Sequence, residues 1–328
     1  MTIPLQDDAL GRDLYRKMIR IRRVEEAIAD LYPEQQMRCP VHLSIGQEGV
    51  AAAAGAAARR TDYAMSGHRS HAHYLAKGGN LRAMLAEIYG KETGCCRGRG
   101  GSMHLVDLEA GFLGAVPIVG STIPIAVGTA FAAQRRGEDR VTLAFFGEGA
   151  TEEGVFHESL NFASLHRLPV VFVCENNLYS VYSPMRVRQP AHREVFEQAA
   201  GHGVEAVQAD GNDVLDAYRR MSEAITHARE GKGPVFLEFL TYRWREHCGP
   251  AFDNHIGYRT EEEYLRWKKT CPISRMEARF GDAILLSAAE ETALAAEIVD
   301  AVAFAKESPF PDPGTASHHL FAAPASLA

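Results

Sequence analysis

Residues 141–179 carry two short apolar runs, at 141–146 and 170–173, that are rich in residues favoured in β-strands. Runs of this kind are typical of strands buried in a parallel sheet. Between them, the segment from Thr151 begins with acidic residues, as helices often do, and continues with an apolar face. A strand, a helix and a second strand in succession predict an α/β fold with a doubly wound, mostly parallel sheet flanked by helices.

Polar residues follow both predicted strands at the point where each one ends. Glu148 and Gly149 follow the first strand, and Asn177 follows the second. In open parallel sheets the carboxyl ends of the strands form the crevice that binds ligands. Carboxylate and amide oxygens suit Mg²⁺ or Ca²⁺ better than zinc, and the free N–H groups of Gly149 and Ala150 suit phosphate. The pattern therefore predicts a metal-bridged diphosphate site.

The Gly-Glu-Gly turn, followed after the next strand by Asn-Asn, resembles the thiamine-diphosphate-binding motif. The flanking segments ATEEGVFHESLNFA and LPVVFVCENNLYS strengthen the match. Over residues 10–306 the chain resembles the alpha subunit of the decarboxylating dehydrogenase component of 2-oxo acid and acetoin dehydrogenase complexes. The resemblance implies thiamine diphosphate and Mg²⁺ as cofactors, with the metal held by the side chains of Glu148 and Asn177 and the carbonyl of Tyr179. The family normally has Asp where this chain has Glu148, and the extra methylene shifts the geometry of the metal site.

The same resemblance assigns roles to residues outside this motif. His68 and Arg69 would lie beside the diphosphate, and Arg69 suits phosphate because it is permanently charged and binds bidentately. The backbone of Pro117 and Val119, in the segment GAVPIVG, would contact the aminopyrimidine ring. Three histidines are candidates for substrate contact or proton transfer, because neutral imidazoles poised near pH 7 suit such steps: His42, His71 and His247.

Simpler interpretations of these residues stay open at this point. His68, His71 and His73 alternate on a short segment and could converge on zinc, although no further Cys/His cluster with ligand spacing supports it. That segment, the loop around His247 and the βαβ unit itself could also be ordinary polar surface. The lone His42 could be a structural hydrogen-bonding group. Cys248 occupies the position of a residue that is often a phosphorylated Ser in the family, which excludes that form of regulation.

Composition limits the possible partners and the compartment. The chain has 328 residues and a net charge of −7, which gives no basic footprint for nucleic acid. No apolar run approaches the length that spans a bilayer. The first residues lack a basic-then-apolar leader, and six cysteines show no CxxC pair, so we expect a cytoplasmic protein with reduced thiols.

Hydrophobic periodicity outlines the rest of the chain. An amphipathic helix over 10–32 forms an N-terminal arm (1–40), the thiamine diphosphate domain occupies 41–283, and a closing helix over 284–306 with a loose tail completes 284–328. Within the domain we expect further strands and helices and a polar loop. The predicted helices are at 47–59, 81–89, 121–134 and 213–230, the strands at 204–209 and 234–240, and the loop at 180–193.

The glutamate that activates the cofactor in thiamine enzymes belongs to a second α/β domain, and this length holds only one. The resemblance therefore implies a separate beta subunit in a heterotetramer of two alpha and two beta chains, with a lipoyl acyltransferase as a further partner. Two alternatives to a dehydrogenase that acts on a 2-oxo acid or acetoin stay open. One is a carboligase or transketolase-like enzyme outside a lipoyl complex, and the other is a non-catalytic relative.

Overall fold

The structure is a computed structural model that describes residues 8–318. A six-stranded parallel sheet lies between two layers of helices, as the sequence predicts. The interpretations of residues 1–7 as leader-free and of residues 319–328 as a loose tail lie outside the described residues.

The main sheet has the strand order β2-β1-β3-β4-β8-β7, and every neighbouring pair is parallel. A separate antiparallel hairpin of two short strands follows β4. The strands are β1 (Tyr63–Ser66), β2 (Phe112–Ala115), β3 (Thr142–Gly147), β4 (Val170–Asn176), β5 (Tyr179–Ser180), β6 (Ser183–Pro184), β7 (Glu205–Asp210) and β8 (Val235–Leu240).

Helices cover both faces of the sheet and form the two arms. They are α1 (Asp8–Leu31), α2 (Glu48–Ala57), α3 (His71–Ala76), α4 (Leu81–Ile88), α5 (Thr122–Arg135), α6 (Gly154–Leu165), α7 (Met185–Arg188), α8 (Val195–Ala200), α9 (Val214–Arg229), α10 (Glu261–Lys268), α11 (Pro272–Phe280) and α12 (Ala288–Glu307).

The four strands and seven longer helices expected from the sequence are present, with ends that shift by a few residues. Two local predictions are wrong. A 3₁₀ turn (Glu148–Glu152) precedes α6, which begins at Gly154 rather than near Thr151. The segment 180–193 is not a plain loop, because it contains β6 and α7.

The sheet is buried on both faces because its strands alternate between two apolar cores. Leu143 and Phe145 of β3 pack into a core with α1, α2, α4 and α9, while Ala144 and Phe146 pack into a second core with α5, α6 and α8. This alternation is the two-residue period of a strand. Apolar side chains are required on both faces, so the central strands appear in the sequence as continuous hydrophobic runs.

Both arms pack on the first of these cores. Helix α1 contributes Leu14 and Met18, and α12 contributes Ala301 and Ala305 beside α4. Helix α12 begins with a capping box in which Ser287 and Glu290 satisfy each other's backbone N–H groups. The division of the chain at residues 40 and 283 stays a proposal. Within residues 8–318, no helix has both the length and the apolar character needed to cross a bilayer.

Close packing of α2 against α3 predicts a large effect of one methyl group. A Cβ added at Gly55 would lie 2.3 Å from the carbonyl oxygen of Ala76, so Gly55→Ala forces the two backbones apart. We expect a loss of about 1–3 kcal/mol in the free energy of unfolding, measured by urea denaturation. Gly128→Ala in α5 is the control, because its Cβ meets nothing within 4 Å and alanine favours the helix. Equal stability of the two variants would contradict this packing.

Candidate active site

The carboxyl ends of five parallel strands converge on one cleft of about 700 Å³, part of it open to solvent. Each of these strands is followed within a few residues by at least one side chain of the cleft wall. The sequence-predicted residues that line the cleft are His68, Arg69, Val119, Glu148, Gly149, Ala150, Asn177, Tyr179 and His247. Nine predicted site residues, spread over 180 positions of the chain, therefore share one cavity.

Glu148 and Asn177 lie beside each other because β3 and β4 pair in register, with Gly147 opposite Glu175. Glu148 is 2% exposed. The Asn177 amide oxygen accepts a hydrogen bond from the Tyr179 backbone N–H (3.3 Å), which leaves it a second lone pair. Oxygen donors from two strand ends thus meet at the floor of the cleft.

The adjacent Asn176 has a structural role instead. Its amide nitrogen donates to the Glu238 carboxylate (2.6 Å), and its amide oxygen accepts from the backbone N–H of Leu178 (3.0 Å). Leu178 has a positive φ of 73°. The backbone turns at this point, and the side chains of Asn176 and Asn177 have different neighbours. Only Asn177 lines the cleft.

The Glu148 carboxylate is paired with a cation from the segment that follows Tyr179. Arg188 donates from Nη2 to Glu148 Oε1 (2.6 Å) and from Nη1 to Glu152. Burial raises the pKa of Glu148, and the Arg188 guanidinium opposes that shift. The sequence analysis missed Arg188 because it lies on α7, in a segment interpreted as a loop.

The 3₁₀ turn after β3 has no room for a side chain at its second residue. A Cβ on Gly149 would lie 2.9 Å from Ser180 Oγ and 3.2 Å from Ser180 Cβ. Gly149 and Ala150 both line the cleft, ahead of the twelve-residue helix α6. N–H groups at such a position favour a phosphate.

Arg69 is a buried cation without an acidic partner. Its guanidinium donates to the carbonyls of Leu43 (2.7 Å) and His247 (3.3 Å), and among residues 8–318 no carboxylate oxygen lies within 4.0 Å of it. Burial and the nearby Arg243 lower its pKa to about 10, so the group remains charged near neutral pH. Glu25 and Glu175 oppose this shift in pKa without contacting the guanidinium, so the buried charge is offset only in part and this corner of the cleft favours an anion.

Three imidazoles cluster beside Arg69. Ring centroids of His42 and His68 lie 4.6 Å apart, and His247 is 5.0 Å from His42 and 5.3 Å from His68. Burial, followed by the positive charge of Arg69, lowers the pKa of His42 to about 2, that of His68 to about 4 and that of His247 to about 3. The rings are therefore neutral, as expected, but the two catalytic candidates among them are not poised near pH 7.

His71 lies behind the cleft rather than on its wall. Its Nε2 is 2.7 Å from Ser102 Oγ, its Nδ1 is 3.3 Å from Glu25 Oε1, and the side chain is fully buried. Glu25 also accepts two bonds from the Ser44 backbone N–H, both 2.8 Å. His71 thus connects α1 to the segments that carry His42 and Ser102, and this placement does not support direct contact with substrate.

Three further residues line the cleft: Gln47 and Glu175, for which no role was predicted, and His73, which was considered only as a zinc ligand. His73 Nε2 lies 3.2 Å from Glu175 Oε2, its Nδ1 lies 2.9 Å from Ser66 Oγ, and its ring stacks on Phe145 at 4.0 Å. His73 was visible in the histidine-rich run and Glu175 in the Glu-Asn-Asn sequence, but neither position indicated which way the side chain faces. His68, His71 and His73 contact different partners, so they do not form one zinc site.

The segment after β2 forms an apolar lip of the cleft. Ile118 and Val119 are 69% and 46% exposed, and both line the cleft with Val116. Pro117 lies between these residues but not on the cleft wall, so its predicted carbonyl contact stays a prediction.

A metal-bound diphosphate fits this set of groups. Glu148 and Asn177 offer hard oxygen donors, Arg69 lacks an acidic partner, and Gln47 Nε2 is buried without a hydrogen-bond partner in the described part of the chain. Phosphate oxygens would accept hydrogen bonds from the Arg69 guanidinium and from Gln47 Nε2. A cleft of this kind at the carboxyl edge of an open parallel sheet is the arrangement in which α/β enzymes bind phosphorylated cofactors.

Comparison with known proteins identifies the family. The profile of the family described as dehydrogenase E1 component matches residues 16–314. The alpha subunit of acetoin:2,6-dichlorophenolindophenol oxidoreductase from Bacillus subtilis is 38% identical over 304 residues, covering 91% of this chain and 89% of that protein. The alpha subunit of the pyruvate dehydrogenase E1 component from Rhizobium meliloti is 37% identical over 303 residues, covering 91% and 86%. The chloroplastic alpha-3 subunit of the pyruvate dehydrogenase E1 component from Arabidopsis thaliana is 36% identical over 324 residues, covering 96% of this chain and 75% of that protein.

The chain belongs to the dehydrogenase E1 component family. Membership confirms the resemblance drawn from the sequence motif, and it implies thiamine diphosphate as cofactor and a separate beta subunit as partner.

Because the three clustered imidazoles are buried beside Arg69, we predict that they do not change charge near neutral pH. We expect the ring protons of His42, His68 and His247 to show constant NMR shifts between about pH 5.5 and 8, where an unperturbed imidazole changes charge. The unfolded chain binds these protons near pH 6.5, so the free energy of unfolding should fall as the pH decreases from there towards about 4. Single His→Gln variants assign the resonances. A midpoint near pH 6.5 for any of the three would contradict the described burial.

Proposed function

We propose that this chain is the alpha subunit of a thiamine-diphosphate-dependent dehydrogenase that cleaves a 2-oxo acid or acetoin and transfers the acyl unit to a lipoyl group or another acceptor. The supporting observation is that one cleft holds both a buried cation without an acidic contact, Arg69, and the oxygen donors of Glu148 and Asn177. An anionic diphosphate and a divalent cation would satisfy both ends together.

In this proposal Glu148, Asn177 and the carbonyl of Tyr179 hold Mg²⁺, and the N–H groups of Gly149 and Ala150 receive the phosphates. Arg69 and His68 hold the other side of the diphosphate, while the backbone at Pro117 and Val119 receives the ring. Glu148 replaces the family's Asp, and its longer side chain reaches the cleft floor from a fully buried position. When bound, thiamine diphosphate supplies a carbanion-stabilising centre for cleavage next to a carbonyl.

His42 and His247 are the proposed proton-handling groups. Both imidazoles are neutral, and the Nδ1 of His42 is buried without a partner in the described residues. A neutral imidazole can donate from one nitrogen and accept at the other. An anion bound beside Arg69 would offset the positive charge that lowers both pKa values, and would bring them closer to neutral pH. We assign His71 a positioning role through Ser102 and Glu25.

The beta subunit has a defined place in this proposal. The exposed apolar lip of Ile118 and Val119 borders the cleft, and a partner that covers it would exclude water from the site. We propose a heterotetramer of two alpha and two beta subunits, with a lipoyl acyltransferase as an additional partner. The six unpaired cysteines agree with the proposed cytoplasmic location.

The loop after β8 favours keeping a second candidate function, a carboligase or transketolase-like enzyme outside a lipoyl complex. Tyr242, Arg243 and His247 of this loop match the pattern YRxxxH of the family, but Arg245 and Glu246 stand where small residues or His are usual. They fold it on itself, with Arg245 donating to the Pro250 carbonyl (2.9 Å) and Glu246 accepting from the Ala251 N–H (2.9 Å). A substrate panel for the assembled enzyme, with and without a lipoyl domain as acceptor, separates the two candidates.

Removing the Glu148 carboxylate should remove cofactor binding. We expect Glu148→Ala to weaken the binding of thiamine diphosphate in the presence of Mg²⁺ by at least about 100-fold, measured by calorimetry on the alpha–beta assembly. Glu148→Asp, which restores the usual residue of the family, should retain binding. Glu153→Ala is the matched control, because that carboxylate is exposed in the same turn. Unchanged binding by Glu148→Ala would refute the metal site.

The alpha chain alone should be inactive, because the glutamate that activates the cofactor is proposed to reside on the beta subunit. We expect no reduction of an artificial electron acceptor with pyruvate or acetoin until the beta chain is added. Retained binding of thiamine diphosphate and Mg²⁺ by the inactive alpha chain serves as the folding control. Turnover by the purified alpha chain would contradict the shared site.

A further inference from the structure

Arg188 contacts the proposed metal ligand from a segment outside the sheet. Its Nε donates to the Ser183 carbonyl (3.1 Å), its Nη1 to Glu152, and its Nη2 to Glu148 Oε1 (2.6 Å). The side chain is only 11% exposed, and that of Glu148 is 3% exposed. The guanidinium therefore bridges a buried carboxylate in the cleft and a more exposed carboxylate at its edge.

A divalent ion and Arg188 compete for the same carboxylate. A metal ligated by Glu148 would lie about 2 Å from a carboxylate oxygen, beside a guanidinium already 2.6 Å from Oε1. Two positive groups this close repel strongly where little water screens them. Simultaneous full contact of Glu148 with both is therefore unfavourable.

Glu152 gives Arg188 an alternative partner. Its side chain is 33% exposed, and it also accepts a hydrogen bond from Gln189 Nε2 (2.9 Å). Arg188 can keep its bonds to Glu152 and to the Ser183 carbonyl while it releases Glu148. The cost of displacement is then the loss of one charged hydrogen bond, without leaving a buried cation unpaired.

The same ion pair fastens the segment 180–193 to the cleft floor. Helix α7 carries Arg188 and follows the β5–β6 hairpin, whose Ser180 lies directly over Gly149. Other contacts also hold the segment, since Met185 packs against the second core and the Val181 carbonyl accepts a hydrogen bond from Arg243. Arg188 is the side chain that links the segment to the Glu148 carboxylate.

We propose that Arg188 is a positioning residue that occupies Glu148 until a divalent ion displaces it, so that this ion pair lowers the metal affinity of the cleft and couples metal binding to the segment 180–193. The inference rests on the proposed metal site. Coupling free energies of this kind commonly change affinity by about 5- to 150-fold. Diphosphate binding should assist the exchange. Its negative charge stabilises the bound metal, and the metal can bind fully only after Arg188 has left Glu148 for Glu152.

The test measures the loss of the free Mn²⁺ electron paramagnetic resonance signal with the alpha–beta assembly and inorganic pyrophosphate, beyond the loss that pyrophosphate causes without protein. The measurement is made at a pH of about 8, because burial raises the pKa of Glu148 and a higher pH favours its ionised form. We expect Arg188→Gln to bind Mn²⁺ about tenfold more tightly than the wild type. Arg188→Lys, which keeps the charge, should lie near the wild type. Arg186→Gln is the matched control, because it removes the same charge from an exposed position on α7.

Hydrogen exchange supplies a second readout that a purely structural role would not produce. We expect the binding of Mn²⁺ and pyrophosphate to change amide exchange in residues 180–193 of the wild type, and to change it less in Arg188→Gln. Equal Mn²⁺ affinity of Arg188→Gln and Arg186→Gln, or weaker binding by Arg188→Gln alone, would overturn the inference while leaving the metal site intact. Failure of the wild type and every variant to bind Mn²⁺ would instead overturn the proposed metal site.

Discussion

The parallel pairing of β3 with β4 is the constraint on which the site depends. Because Gly147 lies opposite Glu175, the residues that follow the two strands lie at the same edge of the sheet. No flexible loop is needed to bring them together. β1 and β8 extend the same edge with Arg69 and His247. The apolar alternation that buries both faces of the sheet fixes this register, since a slip of one residue would exchange the two cores.

Electrostatic selectivity follows from burial at that edge. Arg69 is kept from water and from carboxylates, while Glu148 shares a single guanidinium with Glu152. One end of the cleft therefore favours an anion, and the other offers oxygen donors to a cation. The neutral histidines beside Arg69 can exchange hydrogen bonds without adding a further charge to this region. This division of charge matches the two parts of a metal–diphosphate pair.

Several residues act on the site from behind it. His71 links Glu25 of α1 to Ser102, and the Ser102 segment is held by Glu87, which accepts backbone N–H bonds from Gly98, Gly100 and Gly101. Arg69 likewise joins the carbonyls of Leu43 and His247. The N-terminal arm is thus part of the support for the cleft wall, beyond its packing on the core.

The sequence by itself determined four of the six main strands, the longer helices and the strand-end pair Glu148 and Asn177, because apolar runs and the polar residues that follow them are local signals. The four-residue strands β1 and β2 were too short to detect beside histidine- and glycine-rich segments. Side-chain direction was also beyond the sequence: adjacent Asn176 and Asn177 have different roles, and His71 and His73 diverge from His68. Only tertiary structure brings Arg188 to Glu148 across 40 positions, because that contact depends on how the hairpin folds back over the sheet edge.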